Sequence, residues 1–273
     1  MKQLSVIIIC ICFSVSIMAQ KKMAAENAAA VKEFVTVCNS YKKLPLHAAI
    51  QQSSKALIAA SEEDTATTEA EFYITSQGSY IRYGNTEQIS DDSFMVVISN
   101  DQRVMMLYTA TENIQQQLNL ITGFQMADSS IDKISDKYSA VIYPAENQQG
   151  IVELKNKSSL PGTNLVKESI TIKYNVMTKE PAAVIYMRRS LIPVDSADWG
   201  TGPEYARLND KLIKTKESWF VINERTQTYT YRKINHDAGI KLPVSIAERI
   251  KRTAKGEFVA AKGYEEYYIS VDK

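Results

Sequence analysis

The sequence predicts a mainly β protein of the α+β class, built as a curved antiparallel meander or half-barrel of about 8–11 strands. Two observations favour this class: short segments of alternating apolar and polar residues, and tight turn sequences between them. A third is an alanine-rich amphipathic segment near the N-terminus, which adds one helix before the strands. One or two further helices are expected to cover the sheet.

The first residues, "MKQLSVIIIC ICFSVSIMAQ", are typical of a secretory signal peptide. Lys2 supplies the positive start, Leu4 to Met18 is an uncharged apolar run, and Ala19 is the small residue before the expected cleavage site. We therefore predict a signal peptide at 1–19 and a single domain at 20–273. The alternative is an uncleaved N-terminal anchor, because the apolar run is long for a signal peptide yet short for a bilayer span.

Composition excludes several classes of protein. The chain has 45% hydrophobic residues, which is ordinary for a globular protein, and a formal net charge of +1. Loss of Lys2 with the signal peptide makes the mature chain neutral, so it lacks the positive charge of nucleic-acid-binding proteins. Only Cys38 remains after cleavage, so no internal disulfide can form and the core must supply the stability.

The first predicted helix covers Ala24–Lys43. Its apolar residues recur at helical spacing, and they include Cys38, which is expected to be buried and unreactive. Pro45 ends the helix, and a half-buried strand begins at Leu46.

The next strands form a predicted meander. "EFYITS" and "GSYIRYG" flank a turn at Gln77–Gly78, and "SFMVVIS" and "RVMMLYT" flank a turn at Asn100–Gln102. A further reversal is expected at Gly84–Asn85. Connections this short require antiparallel neighbours, because parallel strands need long crossovers.

The second half of the chain continues the pattern. We expect a helix at Thr111–Gly123, four strands from "YSAVIYP" to "AAVIYMRRSL", and a loop at Pro193–Asp210. "SWFVINER" and "TQTYTYRKI" are interpreted as a hairpin, "SIAERIKRTAKGE" as a helix after Pro243, and "YEEYYISV" as a final strand.

The strands of the meander are apolar on both faces. Phe94, Val96 and Ile98 alternate with Met95 and Val97, whereas a sheet wetted on one side would alternate apolar with polar residues. One face can be covered by helices, so the other needs a second sheet, a closing curl or a ligand. The simpler alternative is an ordinary two-sided core.

No catalytic or metal-binding motif is present in the sequence. His47 and His236 lie far apart, and adjacent acidic residues such as Asp91–Asp92 point to opposite faces of a strand or lie in turns. The chain contains no phosphate-binding loop, dinucleotide-binding fingerprint or nucleophile elbow. We therefore predict a non-catalytic protein without a cofactor or a metal.

The stretch "YIRYGNTEQISDDSFMVVISNDQRVMMLYT", which follows the apolar N-terminus and the amphipathic helix, resembles the periplasmic lipoprotein-carrier (LolA-like) fold family. The matching pieces are Tyr80–Arg82–Tyr83, Ser99–Asn100–Asp101 and Leu107–Tyr108, and the resemblance covers Ala24 to Glu112. It implies a curved antiparallel sheet closed by helices, an apolar cavity for acyl chains, no cofactor and no catalysis. The family's arginine within the cavity would fall nearest Arg82. The chain is longer than a typical carrier and has two additional hairpins.

Two functions remain open from the sequence. The first is an exported, periplasmic or secreted protein that binds a lipid, an acyl chain or an acylated protein in a sheet-lined cavity. The second is a cell-envelope module that binds another protein through a sheet face or edge; an enzyme is the third and least supported class. No membrane span is expected in the mature chain. Residues expected to contribute to the apolar surface are Phe72, Tyr80, Met95, Val97, Met106 and Tyr108, with Arg82 at the rim.

Overall fold

The computed structural model of the protein describes residues 23–40, 43–109, 131–194, 208–214 and 218–271. The predicted signal peptide, the predicted helix at Thr111–Gly123 and most of the predicted loop at Pro193–Asp210 lie outside these residues. Within the described ranges, no helix is both long and apolar enough to cross a bilayer.

The described residues form mostly strands, with helix α1 at residues 23–40 and helix α2 at Ile131–Lys137. The strands are β1 (Leu46–Ala56), β2 (Thr67–Thr75), β3 (Gly78–Tyr83), β4 (Thr86–Ser90), β5 (Phe94–Ser99), β6 (Val104–Thr109), β7 (Tyr138–Glu146), β8 (Gln149–Asn156), β9 (Glu168–Asn175), β10 (Pro181–Val194), β11 (Leu212–Lys214), β12 (Trp219–Asn235), β13 (Ile250–Arg252), β14 (Phe258–Ala260) and β15 (Tyr268–Val271). Strands β13 and β14 pair only with each other.

One large curved sheet contains the remaining thirteen strands, in the order β15-β6-β5-β4-β3-β2-β1-β12-β10-β9-β8-β7, with β11 paired to β12. Strands β1 to β6 form one meander and β7 to β10 another, and β1 and β12 join the two. All pairs are antiparallel except β15 with β6, which is parallel. The sheet does not close on itself, so the predicted class of a mainly β half-barrel with few helices is confirmed.

Helix α1 packs on one face of the sheet, called here the inner face. Its apolar stripe, from Ala30 through Phe34 to Cys38, is buried in one cluster with side chains from both meanders. The cluster includes Phe72 of β2 and Ile172 of β9. The predicted burial of Cys38 is confirmed, since its exposed fraction is 7%. The helix therefore links the two meanders through one shared core.

The other face, called here the outer face, is covered at β3–β6 by the C-terminal segment, residues 242–269. Val96, Ile98, Met105 and Leu107 are buried there against side chains of this segment. The segment residues that contribute are Leu242, Val244, Ile246, Ile250, Phe258, Tyr264, Tyr267 and Ile269. The two apolar faces of the meander are thus covered by different parts of the chain.

A buried ion pair attaches the C-terminal segment to the meander. Arg249 lies 3.0 Å from the Glu87 carboxylate of β4, and both side chains are largely buried. Asn100 donates a hydrogen bond to the same carboxylate and accepts one from the Tyr267 hydroxyl. The Arg249 guanidinium also lies over the Tyr264 ring, 4.7 Å from its centroid. These contacts fix the position of the segment over the outer face.

A second polar network holds the strands of the other meander together around Glu168. The carboxylate of this residue accepts hydrogen bonds from Tyr138, Asn156 and Tyr186 and pairs with Lys137 at 2.7 Å. Burial alone would raise the pKa of Glu168, but these partners outweigh it and lower the pKa to about 2. The network connects α2, β7, β8, β9 and β10.

Several local predictions agree with the structure, and others are wrong. The reversal at Gly84–Asn85 is confirmed, because β3 and β4 pair across it. The predicted hairpin in "SWFVINERTQTYTYRKI" is instead the single strand β12, since its middle contains no turn-forming Gly, Pro or Asn-Gly pair. The predicted helix after Pro243 is a short 3-10 turn followed by β13 and β14.

Helix α2 was not predicted from the sequence. It is short, and only Ile134 within it is buried, so the sequence carries almost no apolar period there. The described strands are more numerous than the predicted range, and the final strand is parallel to its neighbour, not antiparallel.

The Glu168 network predicts an acid-sensitive contribution to stability. Because the folded-state pKa lies below the unfolded value, the contribution is present above about pH 5 and is lost as pH falls towards about 2. Replacing Glu168 with Gln should lower the free energy of unfolding at neutral pH and flatten its decline with acid. Urea unfolding at about pH 7 and pH 3 measures both. Glu62→Gln, at an exposed position, is the control, and an unchanged slope in Glu168→Gln would contradict the assignment.

The two ion pairs of the C-terminal segment should differ in energy. Arg249→Ala leaves Glu87 buried without its charge partner and should cost about 3–5 kcal/mol. Arg103 pairs with Glu266 of the same segment, but both are exposed, so Arg103→Ala should cost at most about 1 kcal/mol. Denaturant unfolding of both variants gives the comparison. Equal losses would show that burial of the Arg249 pair is not what anchors the segment.

Candidate functional site

An apolar cavity of about 280 Å³ opens on the inner face of the first meander. Strands β1 to β5 supply most of its wall and β12 supplies one aromatic side chain. The lining residues are Ile50, Gln52, Ala70, Phe72, Ile81, Tyr83, Thr86, Gln88, Val97 and Tyr229. Its volume is slightly below the range of roughly 300–1,000 Å³ that is usual for small-molecule sites.

The register of the meander explains why these side chains meet. Phe72 of β2 lies opposite Ile81 of β3, which lies opposite Gln88 of β4. Gln88 in turn lies opposite Val97 of β5, and Val97 opposite Met106 of β6. Directly opposed residues share a face of the sheet, so these five side chains form one row across five strands. The cavity lies along this row.

The row changes from buried to exposed as it crosses the sheet. Phe72 and Ile81 are buried beneath α1, Val97 is half-buried, and Met106 is 36% exposed. Met95 and Tyr108, which also face each other on the inner face, are half-buried. An apolar surface therefore extends from the helix-covered core, through the cavity, towards the β6 side of the sheet.

Uncharged polar groups occupy one part of the cavity wall. The Tyr83 hydroxyl donates a 2.7 Å hydrogen bond to Gln52 Oε1, so these two groups satisfy each other. Gln88 Nε2 is buried and has no hydrogen-bond partner among the described residues. None of the lining residues carries a charge. The cavity is therefore suited to an uncharged, mainly apolar ligand.

Five of the seven residues predicted from the sequence lie on the inner face. Phe72 and Val97 line the cavity itself, and Met95, Met106 and Tyr108 extend the surface beyond it. Ile81 lies opposite Phe72 on the inner face, and Tyr80 and Arg82 are its neighbours in β3. Because successive residues of a strand point to opposite faces, Tyr80 and Arg82 lie on the outer face. Tyr80 is buried there against the C-terminal segment. The sequence set thus combines residues from both faces.

Arg82 belongs to a polar cluster on the outer face, not to the cavity rim. It pairs with Glu71 at 3.2 Å, and Glu71 also accepts hydrogen bonds from His47 and Tyr73. Burial alone would raise the pKa of Glu71, but the hydrogen bonds and the Arg82 charge lower it below its usual value. The rings of His47 and Tyr73 stack at 4.0 Å. These contacts hold adjacent strands together and leave no group directed at the cavity.

Sequence reasoning missed most of the cavity wall. Ile50 of β1 lies opposite Ala70 of β2, and each follows the apolar alternation of its own strand. The pairing of β1 with β2 was therefore the signal that would have placed both residues on the cavity wall. Gln88 was not considered because it interrupts the apolar pattern. Tyr229 comes from β12 and reaches the cavity only through the pairing of β12 with β1, which no local pattern indicates.

The arrangement offers no site for a metal in the described ranges, where no three His, Cys, Asp or Glu side chains come together. The His236 ring is held at the Pro45 carbonyl oxygen, which lies 3.1 Å from its Nδ1 atom. The cavity wall itself offers apolar contact and uncharged hydrogen-bonding groups.

Comparisons with known proteins place the chain beside solved structures only. No protein-family model matches the chain, and no curated protein sequence matches it. A DUF1329 family protein from Desulfovibrio piger matches with a TM-score of 0.30 and 12% identity, covering 79% of this chain and 95% of that one. A putative outer membrane lipoprotein-sorting protein domain from Vibrio parahaemolyticus matches with a TM-score of 0.27 and 8% identity, covering 80% and 95%.

A LolA superfamily protein from Nitrosomonas europaea also matches, with a TM-score of 0.24 and 6% identity over 80% of this chain and 95% of that chain. The likeness to all three structures is weak in both TM-score and sequence identity. At these TM-scores and identities, the likeness to the three structures carries no argument about a ligand or a mechanism.

Two adjacent methionines of β6 test the assignment of the faces. Met105 is fully buried on the outer face, so Met105→Ala should cost about 2–5 kcal/mol of stability. Met106 lies on the inner face and is partly exposed, so Met106→Ala should cost well below that amount. Thermal or denaturant unfolding of the two variants measures the difference. Similar losses would indicate that both methionines pack in a closed core.

Proposed function

We propose that the protein is an exported, non-catalytic binding protein or carrier that holds an acyl chain of a lipid or acylated protein on the inner face of its sheet. The observation that carries the proposal is the row from Phe72 to Met106, which is apolar except for Gln88 and runs through an uncharged cavity. Each methylene removed from water contributes about 0.8 kcal/mol, so even part of an acyl chain would bind measurably there.

The shape and composition of the row favour a chain over a compact ligand. The row crosses neighbouring strands and is narrow, and the cavity volume suits one hydrocarbon chain. Methionine and aromatic side chains at Met95, Met106 and Tyr108 adapt to a flexible apolar ligand, because thioethers pack against irregular partners. The proposal includes export of the protein and cleavage of the signal peptide before residue 20. Both rest on the signal-peptide pattern of the first residues.

A second candidate function, a protein-binding module, has one specific observation in its favour. Val141, Ile142 and Tyr143 are consecutive, are each at least 39% exposed and lie on β7, the last strand of the sheet in the described residues. Exposed apolar edges favour pairing with another strand. However, the Ala140 N–H already donates to Asn27 Oδ1 at 2.6 Å, and Pro144 has no N–H to offer. The acyl-binding proposal therefore ranks first.

Blocking the cavity mouth tests the proposal. Thr86 is an exposed lining residue, so Thr86→Trp should fill the entrance without disturbing the core and weaken binding of a fluorescent C12 acyl ester at least about tenfold. Thr67→Trp is the matched control, because Thr67 is equally exposed but lies on the outer face. It should leave binding unchanged.

Titration of the fluorescent ester and thermal melting are measured on all three proteins. A native mass spectrum of protein purified from the periplasm adds an independent readout, since a carrier should retain a co-purifying lipid. If the parent protein binds no acyl ester and carries no lipid, the proposal fails and the protein-binding alternative is favoured.

A further inference from the structure

The amide of Gln88 is the unusual feature of the cavity wall. Gln88 lies at the centre of the apolar row, between Ile81 and Val97, and both of these cross-strand neighbours are apolar. Its Nε2 is buried and has no hydrogen-bond partner among the described residues. A buried donor without an acceptor destabilises a protein, so its presence in a binding cavity points to an acceptor on the ligand.

Two pairs of polar side chains near Gln88 on the inner face already satisfy each other. Two residues further along β4, Ser90 shares a 2.7 Å hydrogen bond with Ser79 of β3. On the other side of the row, the Tyr83 hydroxyl donates to Gln52. Neither pair uses the Gln88 donor. Among the lining side chains, Gln88 Nε2 is thus the buried polar atom that has no partner in the part of the chain that the structure describes.

We infer that Gln88 donates a hydrogen bond to the uncharged carbonyl oxygen of an ester or amide that joins the acyl chain to the rest of its ligand. The inference rests on the proposed acyl-binding function and specifies the ligand class. A free fatty-acid carboxylate is disfavoured, because no lining residue carries a positive charge to offset the cost of burying an anion. A carbonyl accepts one hydrogen bond from a neutral amide at no such cost.

Three ligands of equal chain length separate these possibilities: methyl dodecanoate, dodecyl methyl ether and dodecanoate. The parent protein should bind the ester about tenfold more tightly than the ether, which lacks the carbonyl, and bind the carboxylate least well. Gln88→Leu should reduce ester affinity to that of the ether and leave ether affinity unchanged. Displacement of a fluorescent acyl ester measures all three affinities.

The stability of the ligand-free protein gives a second readout. Damage to the fold would lower the melting temperature of Gln88→Leu, whereas removal of an unpaired donor would not. Since Gln88→Leu removes a buried, unpaired donor, its melting temperature should equal or exceed that of the parent while its ester affinity falls. Gln51→Leu is the control: Gln51 donates to Glu69 at an exposed position outside the lining, so the preference for the ester should persist.

The outcomes distinguish this inference from the function on which it rests. Equal binding of ester and ether by the parent, or a preference for the ester that survives in Gln88→Leu, would overturn the role of Gln88 and leave acyl binding intact. If none of the three ligands binds, the acyl-binding proposal fails, and the inference fails with it.

Discussion

The structure depends on one constraint: strands β5 and β6 are apolar on both faces, and a single sheet cannot bury both faces by itself. The chain meets this constraint with two separate covers. Helix α1 packs on the inner face beside β1 and β2, and the C-terminal segment packs on the outer face. Because α1 also covers the second meander, the inner face towards β6 retains apolar surface in the cavity and beyond it. The candidate site lies on this inner-face surface, which α1 leaves uncovered.

Two polar networks fix the positions of individual elements of the fold. Apolar contact is not directional, so it fixes the amount of burial more than the position of an element. The Glu87–Arg249 pair and the Glu168 network lie in different meanders, and each ties several elements to one carboxylate. Hydrogen bonds to a charged group are the stronger ones and have defined geometry. One carboxylate fixes the C-terminal segment on the first meander, and the other holds α2 and the strands of the second meander together.

Local sequence patterns predicted the strands but not their covers. Phe72 and Val97 were placed on a candidate surface because alternation and short turns determine a meander from neighbouring residues alone. Tyr80 was grouped with them because an aromatic residue suits either face, whereas the register of β2 with β3 and burial against the C-terminal segment place it on the outer face. Tyr229 and the long strand β12 depend on pairing with β1 across most of the chain. Predictions thus failed where a contact is distant in sequence.

The parallel pairing of β15 with β6 has a consequence for how the protein folds. Ile269 lies opposite Met105, so the edge of the first meander is completed by a strand that lies far along the sequence from β6 and is synthesised later. Contacts between such distant residues carry a large loop-closure cost and slow folding. During synthesis, β6 presents an unpaired apolar edge until β15 arrives, and such edges promote aggregation. The nascent chain therefore exposes the β6 edge for a time, and a chaperone that binds exposed apolar segments would protect it from aggregation.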